Sequence, residues 1–310
     1  MQNRAPFIEK HIVMILLIFS ILGLFLPNLF IWAKSLTHSM LTLIAFFVGL
    51  NLKINNFQDV WKNKKIIIPV LTFKYLFAPF VTFFICYCSN ISILYTIGLV
   101  TLTCCPAANT GNILCYLSKG NTALIIITTV TGALLTPLVT PMIIYILLHK
   151  IVHINFSDIM FTITTSITIP ITAGVFISHY FHKTIFPIKP FIPSIGILSV
   201  SMIIAAVLAQ HNSEIFLNGL KISILSSALI TFFIISGFIY SKLLRCELKN
   251  SIAMSFEVGT FDGVLGILLT TQIAGTSATL PVVLFAVLNI FIGSMASKIF
   301  SHQKSMLVTA

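Results

Sequence analysis

Residues 122–148 read TALIIITTVTGALLTPLVTPMIIYILL, an apolar run that no Asp, Glu, Lys or Arg interrupts. A segment of about 18 or more such residues is long enough to cross the hydrocarbon core of a bilayer as a helix. Residues 11–32 form a second run of this kind, and neither run alternates apolar with polar residues as a membrane β-strand would. Only helices and closed barrels satisfy their backbone hydrogen bonds within lipid, so these stretches predict an all-α membrane protein.

The composition of the whole chain supports the same class. Hydrophobic residues make up 57% of the 310 residues and charged residues 8%, with a mean hydropathy of +1.06. A soluble protein of this length would need more charge to cover its surface. The net charge of +11 is spread over short connections rather than over one continuous face, so we expect a lipid bilayer and no nucleic acid as partner.

Hydropathy and helix-breaking residues predict ten transmembrane helices. Most of the 18 Lys and Arg residues fall in the connections and span ends of one side, which by the positive-inside rule places both termini in the cytoplasm. The sequence therefore predicts one multi-pass unit, residues 1–310, in the cell (inner or plasma) membrane. The predicted spans lie near residues 11–33, 36–51, 66–88, 92–117, 121–148, 156–181, 190–210, 215–241, 248–273 and 279–300.

Two of these spans are interrupted. Residues 105–112 read CPAANTGN in the fourth span, and residues 257–263 read EVGTFDG in the ninth, about half the chain length further on. Each interruption lies in the fourth span of a five-span half, and an odd number of spans per half implies two inverted repeats, about 1–150 and 151–310. Proline and glycine at these points predict broken fourth and ninth helices that cross. Matching interruptions in two halves indicate the binding site of a transporter.

Three charged residues lie deep within predicted spans. Glu257 and Asp262 share the second interruption, and Lys74 lies inside the third span. An unpaired charge at such depth costs roughly 2.5–3.5 kcal/mol or more, which makes each residue a candidate for function. Lys74 lies about 12 Å along its helix, so both snorkelling to the surface and pairing with Glu257 or Asp262 remain open.

The leading functional hypothesis is a secondary carrier for a small organic anion that works by alternating access. Its carboxylate would lie near the break in the fourth helix, oriented by Thr110 and by exposed main-chain amides. A core that holds Asn109, Asn112, Glu257 and Asp262 would rock against the remaining helices. One alternative is a cation/proton antiporter that uses Asp262 and Lys74 as competing sites. A membrane-embedded enzyme is a further alternative, but the eight histidines lie at or near span ends rather than at depth. We expect no organic cofactor and no catalytic residues.

The interrupted spans resemble those of the bile acid:sodium symporter family. Residues 105–112 match its Cys-Pro-Gly-Gly-x-x-Ser-Asn stretch at Cys105, Pro106 and Asn112. Residues 116–121, YLSKGN, are similar to the family's Tyr-Leu-Ala-Arg-Gly-Asn turn, and residues 257–263 are similar to its Glu-Val-Gly-x-Gln-Asn-Ser-Gly stretch. The resemblance in order and spacing runs from the second predicted span to the tenth.

The resemblance implies a division into a core domain, helices 3–5 and 8–10, and a panel domain, helices 1–2 and 6–7. It also implies that sodium drives the uptake of bile acids, pantoate, 2-keto acids or other organic anions. The first of two sodium sites would keep Asn112, Thr129 and Glu257. Its two serine ligands are replaced by Gly111 and Ile125, so two hydroxyl groups are lost.

The second sodium site departs further from the family pattern. It would keep Glu257 and the carbonyl groups of Val258 and Thr260, but its two glutamines are replaced by Phe261 and Lys74. A lysine ammonium supplies one positive charge and no oxygen ligand. We therefore expect Lys74 to fill this site and to pair with Glu257 or with Asp262.

Such a replacement would change the coupling of transport. At most one sodium site would remain, and transport would be coupled to one sodium ion, to a proton or to neither. In the proton-coupled case Asp262 is the candidate titrating group.

Overall fold

The computed structural model describes residues 12–51, 63–152, 155–181, 191–210 and 212–308. Within these ranges the chain forms helices and connecting turns, with no strand, as the composition predicts. In chain order the α-helices are α1 (Ile12–Phe25), α2 (Thr37–Asn51), α3 (Lys64–Cys88), α4 (Ile93–Thr103), α5 (Asn109–Leu117), α6 (Thr122–Leu148), α7 (Phe156–Ile163), α8 (Ile169–Tyr180), α9 (Ile192–Gln210), α10 (Asn212–Leu243), α11 (Leu248–Gly259), α12 (Gly263–Ala274) and α13 (Leu280–Val308).

Short helical turns connect several of these helices. Two 3-10 turns, Pro27–Leu29 and Ile31–Leu36, lie between α1 and α2, and a third, Thr276–Thr279, precedes α13. A π-helical turn, Thr164–Thr168, joins α7 to α8, so that Phe156–Tyr180 forms one apolar segment.

Six segments of the described chain are long and apolar enough to cross a membrane. They are Lys64–Cys88, Thr122–Leu148, Phe156–Tyr180, Leu217–Leu243, Leu248–Ala274 and Thr276–His302. Shorter apolar helices lie at the other four predicted spans. The structure thus supports an all-helical membrane protein, and ten crossings in inverted repeats remain a prediction.

One compact unit comprises Met1–Asn56 and Ser157–Asn218. In it α1 packs against α9 and α2 packs against α8. Both pairs approach closely at glycine. A Cβ atom on Gly23 would lie 2.5 Å from the main-chain oxygen of Ala205, and one on Gly49 would lie 2.2 Å from that of Ile171. Such small residues allow membrane helices to pack backbone against backbone.

The second compact unit comprises Phe57–Phe156 and Gly219–Ala310 and contains both interrupted helices. Helix α4 packs against α12 and α5 packs against α11, so each half of one broken helix contacts the opposite half of the other. Helices α3 and α6 also pack against α11. This arrangement brings the three deep charges of the sequence into one unit.

Candidate functional site

Both predicted helix breaks are present and they meet. The first separates α4 from α5 at residues 104–108, and the second separates α11 from α12 at residues 260–262. The main-chain N–H of Asp262 donates to the carbonyl of Pro106 over 2.9 Å and joins the two breaks directly. The breaks are shorter than the predicted stretches. Asn109–Asn112 already belongs to α5, because the extended backbone of Ala108 ends the break and a new helix begins there.

Two side chains from neighbouring helices bond to carbonyls freed at the breaks. The hydroxyl of Thr140 in α6 donates to the Cys104 carbonyl over 2.6 Å. The amide of Asn289 in α13 donates to the Gly259 carbonyl over 2.8 Å. Neither residue was predicted from the sequence. Asn289 could have been noticed as an amide within an apolar span, whereas Thr140 is one of several threonines in α6 and carries no distinguishing signal.

Lys74 points into the second break and does not snorkel. Its side chain is 0% exposed, and Nζ donates to the carbonyls of Glu257 (2.8 Å) and Thr260 (3.0 Å). Nζ also lies 3.9 Å from Oε1 of Glu257 and 4.8 Å from the centre of the Phe261 ring. Of the two carboxylates left open by the sequence, Glu257 is the one that forms the ion pair.

The three residues of the predicted first sodium site also lie together. The Thr129 hydroxyl donates to Oε2 of Glu257 over 2.8 Å and lies 3.3 Å from Oδ1 of Asn112. Oε1 of Glu257 is buried and has no hydrogen-bond donor among the described residues; the Lys74 ammonium faces it. The Glu257 carboxylate thus lies between the side-chain oxygens of Thr129 and Asn112 on one side and the Lys74 ammonium on the other.

The two positions that carry serine in the family pattern, Gly111 and Ile125, are closely packed in this structure. Ile125 is completely buried. A Cβ atom on Gly111 would lie 2.6 Å from the Thr260 side-chain oxygen, so a serine there requires Thr260 to move. The Thr260 hydroxyl itself donates to the Phe256 carbonyl over 2.8 Å. The predicted first site therefore lacks the two hydroxyl oxygens that the family resemblance implies.

The remaining predicted site residues lie at the edges of this cluster. Asn109 is exposed and Thr110 is half-buried in the first turn of α5, where N–H groups lack α-helical partners. The side chain of Val258 is buried in α11. These residues adjoin the break, and the hydrogen bonds and ion pair of the Lys74 and Glu257 side chains are formed with other residues.

Asp262 caps a helix. Its Oδ1 accepts from the main-chain N–H groups of Val264 (3.0 Å) and Leu265 (3.1 Å) at the start of α12. Removing an N-cap side chain typically costs about 1 kcal/mol, whereas asparagine caps as well as aspartate. The Asp262 carboxylate therefore has a structural role as a helix cap, and its titration stays a prediction.

Two substitutions separate the cap from the charge of Asp262. We expect Asp262→Ala to lower the stability of the purified protein by about 1 kcal/mol, and Asp262→Asn to retain it. Thermal unfolding measures both. A loss of equal size in the two variants would contradict the cap. If Asp262 is also the group that couples transport to protons, Asp262→Asn will change the pH dependence of uptake.

The sequence resembles known transporters over most of its length. The sequence profile of the sodium bile acid symporter family matches residues 38–218. An uncharacterised sodium-dependent transporter, YocS, of Bacillus subtilis (strain 168) is 27% identical over 288 residues, which cover 93% of this chain and 89% of that protein. The probable sodium/metabolite cotransporter BASS1 (chloroplastic) of Arabidopsis thaliana is 26% identical over 285 residues, which cover 91% of this chain and 71% of that protein.

Proposed function

The chain belongs to the sodium bile acid symporter family, and on that premise we propose that it carries a small organic anion across the membrane by alternating access. The observation that carries the proposal is the meeting of two broken helices around buried charges, joined by the hydrogen bond from Asp262 to Pro106. Broken helices of this kind expose helix ends and carbonyls near the middle of the bilayer, where substrates and ions bind. The relatives are named as transporters rather than enzymes.

The anion would bind at the start of α5. The first N–H groups of this helix, near Asn109 and Thr110, carry partial positive charge and have no α-helical acceptors. A carboxylate fits such a helix end. Lys74 is engaged with Glu257 and Thr260, so we assign recognition of the anion to helix dipoles rather than to a basic side chain.

Sodium would bind beside the anion at the first site. Asn112, Thr129 and Glu257 offer an amide, a hydroxyl and a carboxylate oxygen, the ligand type that hard cations prefer. The names of the relatives, a sodium-dependent transporter and a sodium/metabolite cotransporter, support sodium coupling here and do not favour the cation/proton antiporter.

The two compact units support the assignment of a core domain and a panel domain for alternating access. The unit formed by Phe57–Phe156 and Gly219–Ala310 contains the site and would be the core domain, and the unit formed by Met1–Asn56 and Ser157–Asn218 would be the panel domain. We also propose that the chain consists of two inverted repeats. It would lie in the cell membrane with both termini in the cytoplasm.

Thermal unfolding of the purified protein tests the proposed function. It is measured across a sodium titration, with choline keeping the ionic strength constant, and repeated with a panel of bile acids, 2-keto acids and pantoate. We expect one class of anion to raise the unfolding temperature, because a ligand that binds only the folded state stabilises it. The same anion should then enter proteoliposomes down a sodium gradient. An anion panel that leaves stability and uptake unchanged contradicts the proposal.

The first sodium site is tested by Thr129→Val, which removes the hydroxyl and preserves the shape of the side chain. We expect the sodium concentration for half-maximal uptake to rise about tenfold, equivalent to about 1.4 kcal/mol of binding energy. Thr131→Val is the matched control, because this hydroxyl of the same helix only bonds back to the Ile127 carbonyl. A similar change in both variants would argue against the site.

A further inference from the structure

The ammonium of Lys74 lies in a position lined by oxygen atoms of the second break. Two carbonyl oxygens, from Glu257 and Thr260, accept its hydrogen bonds, and the Glu257 carboxylate lies 3.9 Å away. The Phe261 ring lies 4.8 Å from the same nitrogen and adds a cation–π contact. Among the side chains that the structure describes, Lys74 is the only fully buried lysine or arginine.

These oxygens are of the kind that holds a monovalent ion in a broken-helix transporter. The carbonyl end of α11 carries the partial negative charge of the helix dipole, and the Glu257 carboxylate adds to it. Here the ammonium already uses them. A sodium ion at the same place would meet a like charge and would find no oxygen on the side where Phe261 lies.

We infer that Lys74 is a built-in cation, whose ammonium fills a second cation position formed by the carbonyls of Glu257 and Thr260. The inference rests on the proposed function and specifies its coupling. Because the ammonium is covalently attached, it supplies a positive charge at the break without crossing the membrane. If both cation positions bound sodium, each transport cycle could carry two sodium ions. With the Lys74 ammonium in the second position, each cycle would carry at most one.

The shared carboxylate links this position to the first sodium site. Glu257 faces Lys74 with Oε1 and Thr129 with Oε2. The ammonium therefore offsets much of the negative charge that would attract sodium to Thr129 and Asn112. Removing the ammonium should strengthen sodium binding at the first site as well as open the second.

The test compares Lys74→Gln, Lys74→Met and the unaltered protein. Glutamine supplies an amide oxygen and no charge, whereas methionine has a similar length and no strong ligand. In choline we expect both variants to unfold at lower temperature than the unaltered protein. Adding sodium should raise the unfolding temperature of the glutamine variant again. The sodium concentration that gives half of this rise should be about tenfold or more lower than the concentration needed for the unaltered protein. At every sodium concentration, the unfolding temperature of the methionine variant should rise less than that of the glutamine variant.

Two control variants separate the buried charge of Lys74 from a general effect of replacing a lysine. Lys249→Gln, the same change at an exposed lysine, should leave the sodium response unaltered. Lys74→Arg keeps the positive charge, so its sodium response should also resemble that of the unaltered protein. A glutamine variant that is no more responsive to sodium than the unaltered protein, or an arginine variant that gains the response, overturns the inference.

The unaltered protein offers a second measurement that needs no variant. Equilibrium binding of radioactive sodium should give no more than a single ion per chain, and two ions would overturn the inference. These readouts involve no organic anion. A failure of every anion to bind would therefore count against the proposed function alone, and an unchanged sodium response of Lys74→Gln would count against the built-in cation alone.

Discussion

Replacing Glu257 by glutamine should destabilise the protein by about 3 kcal/mol and abolish sodium-dependent uptake. Among the residues that the structure describes, Glu257 supplies the one carboxylate within 4 Å of the Lys74 ammonium, so the substitution leaves a positive charge buried at 0% exposure. Breaking a buried ion pair from one side is costly, because the remaining charge stays desolvated. The bond from Thr129 to Oε2 would also lose its charged acceptor. Thermal unfolding and uptake into proteoliposomes measure the two effects.

A control and a double variant sharpen this prediction. Glu247→Gln makes the same change at an exposed residue with no side-chain capping bond, and should alter stability by less than about 0.5 kcal/mol. Lys74→Met combined with Glu257→Gln removes both charges, so its loss of stability should be smaller than the sum of the two single losses. Strict additivity would show that the two charges do not interact.

Replacing Gly49 by alanine should lower the free energy of unfolding by about 3 kcal/mol or more. Replacing Gly196 by alanine should instead raise it slightly. A Cβ atom on Gly49 would lie 2.2 Å from the Ile171 carbonyl oxygen and 3.0 Å from Cα of Gly174, so α2 and α8 would have to separate. Overpacking of this kind typically costs about 1–3 kcal/mol, and a clash with backbone cannot be relieved by a rotamer change.

Gly196 is the matched control because it lies within α9 of the same compact unit and a Cβ atom there meets nothing within 4 Å. Alanine should stabilise that helix by up to about 1 kcal/mol, since it loses less backbone entropy than glycine. Thermal unfolding of the two variants should therefore shift in opposite directions. Shifts of the same sign would contradict the close approach of α2 and α8.

Local sequence predicted the helix breaks well. Proline and glycine within an apolar run change the backbone where they stand, so their effect is visible from a few neighbouring residues. The boundaries were less accurate, because Asn109–Asn112 and Glu257–Gly259 are compatible with helix and join α5 and α11. The cap formed by Asp262 was not predicted, and its part in ion binding or proton coupling stays a prediction. Its depth drew attention to its charge, whereas one of its carboxylate oxygens caps α12.

The groups that complete the breaks were not predictable in the same way. Thr140 and Asn289 belong to different helices from the carbonyls that they bond. Thr140 is one of several threonines in its span, and the amide of Asn289, although noticeable in an apolar span, does not indicate its partner. Only the packing of α6 and α13 against the broken helices selects them. The same holds for Gly111 and Thr260, because the clash that excludes a larger residue at Gly111 involves two distant segments.

The sequence by itself determined that the chain is a helical membrane protein with two interrupted helices, since hydropathy and the conformational limits of proline and glycine are properties of each segment. It also identified three charges too deep in apolar spans to be solvated there. Tertiary structure alone decided that Lys74 pairs with Glu257, 183 residues away, and uses two main-chain oxygens of the second break. The depth of a charge depends on its own helix, but its partner depends on how separate helices pack.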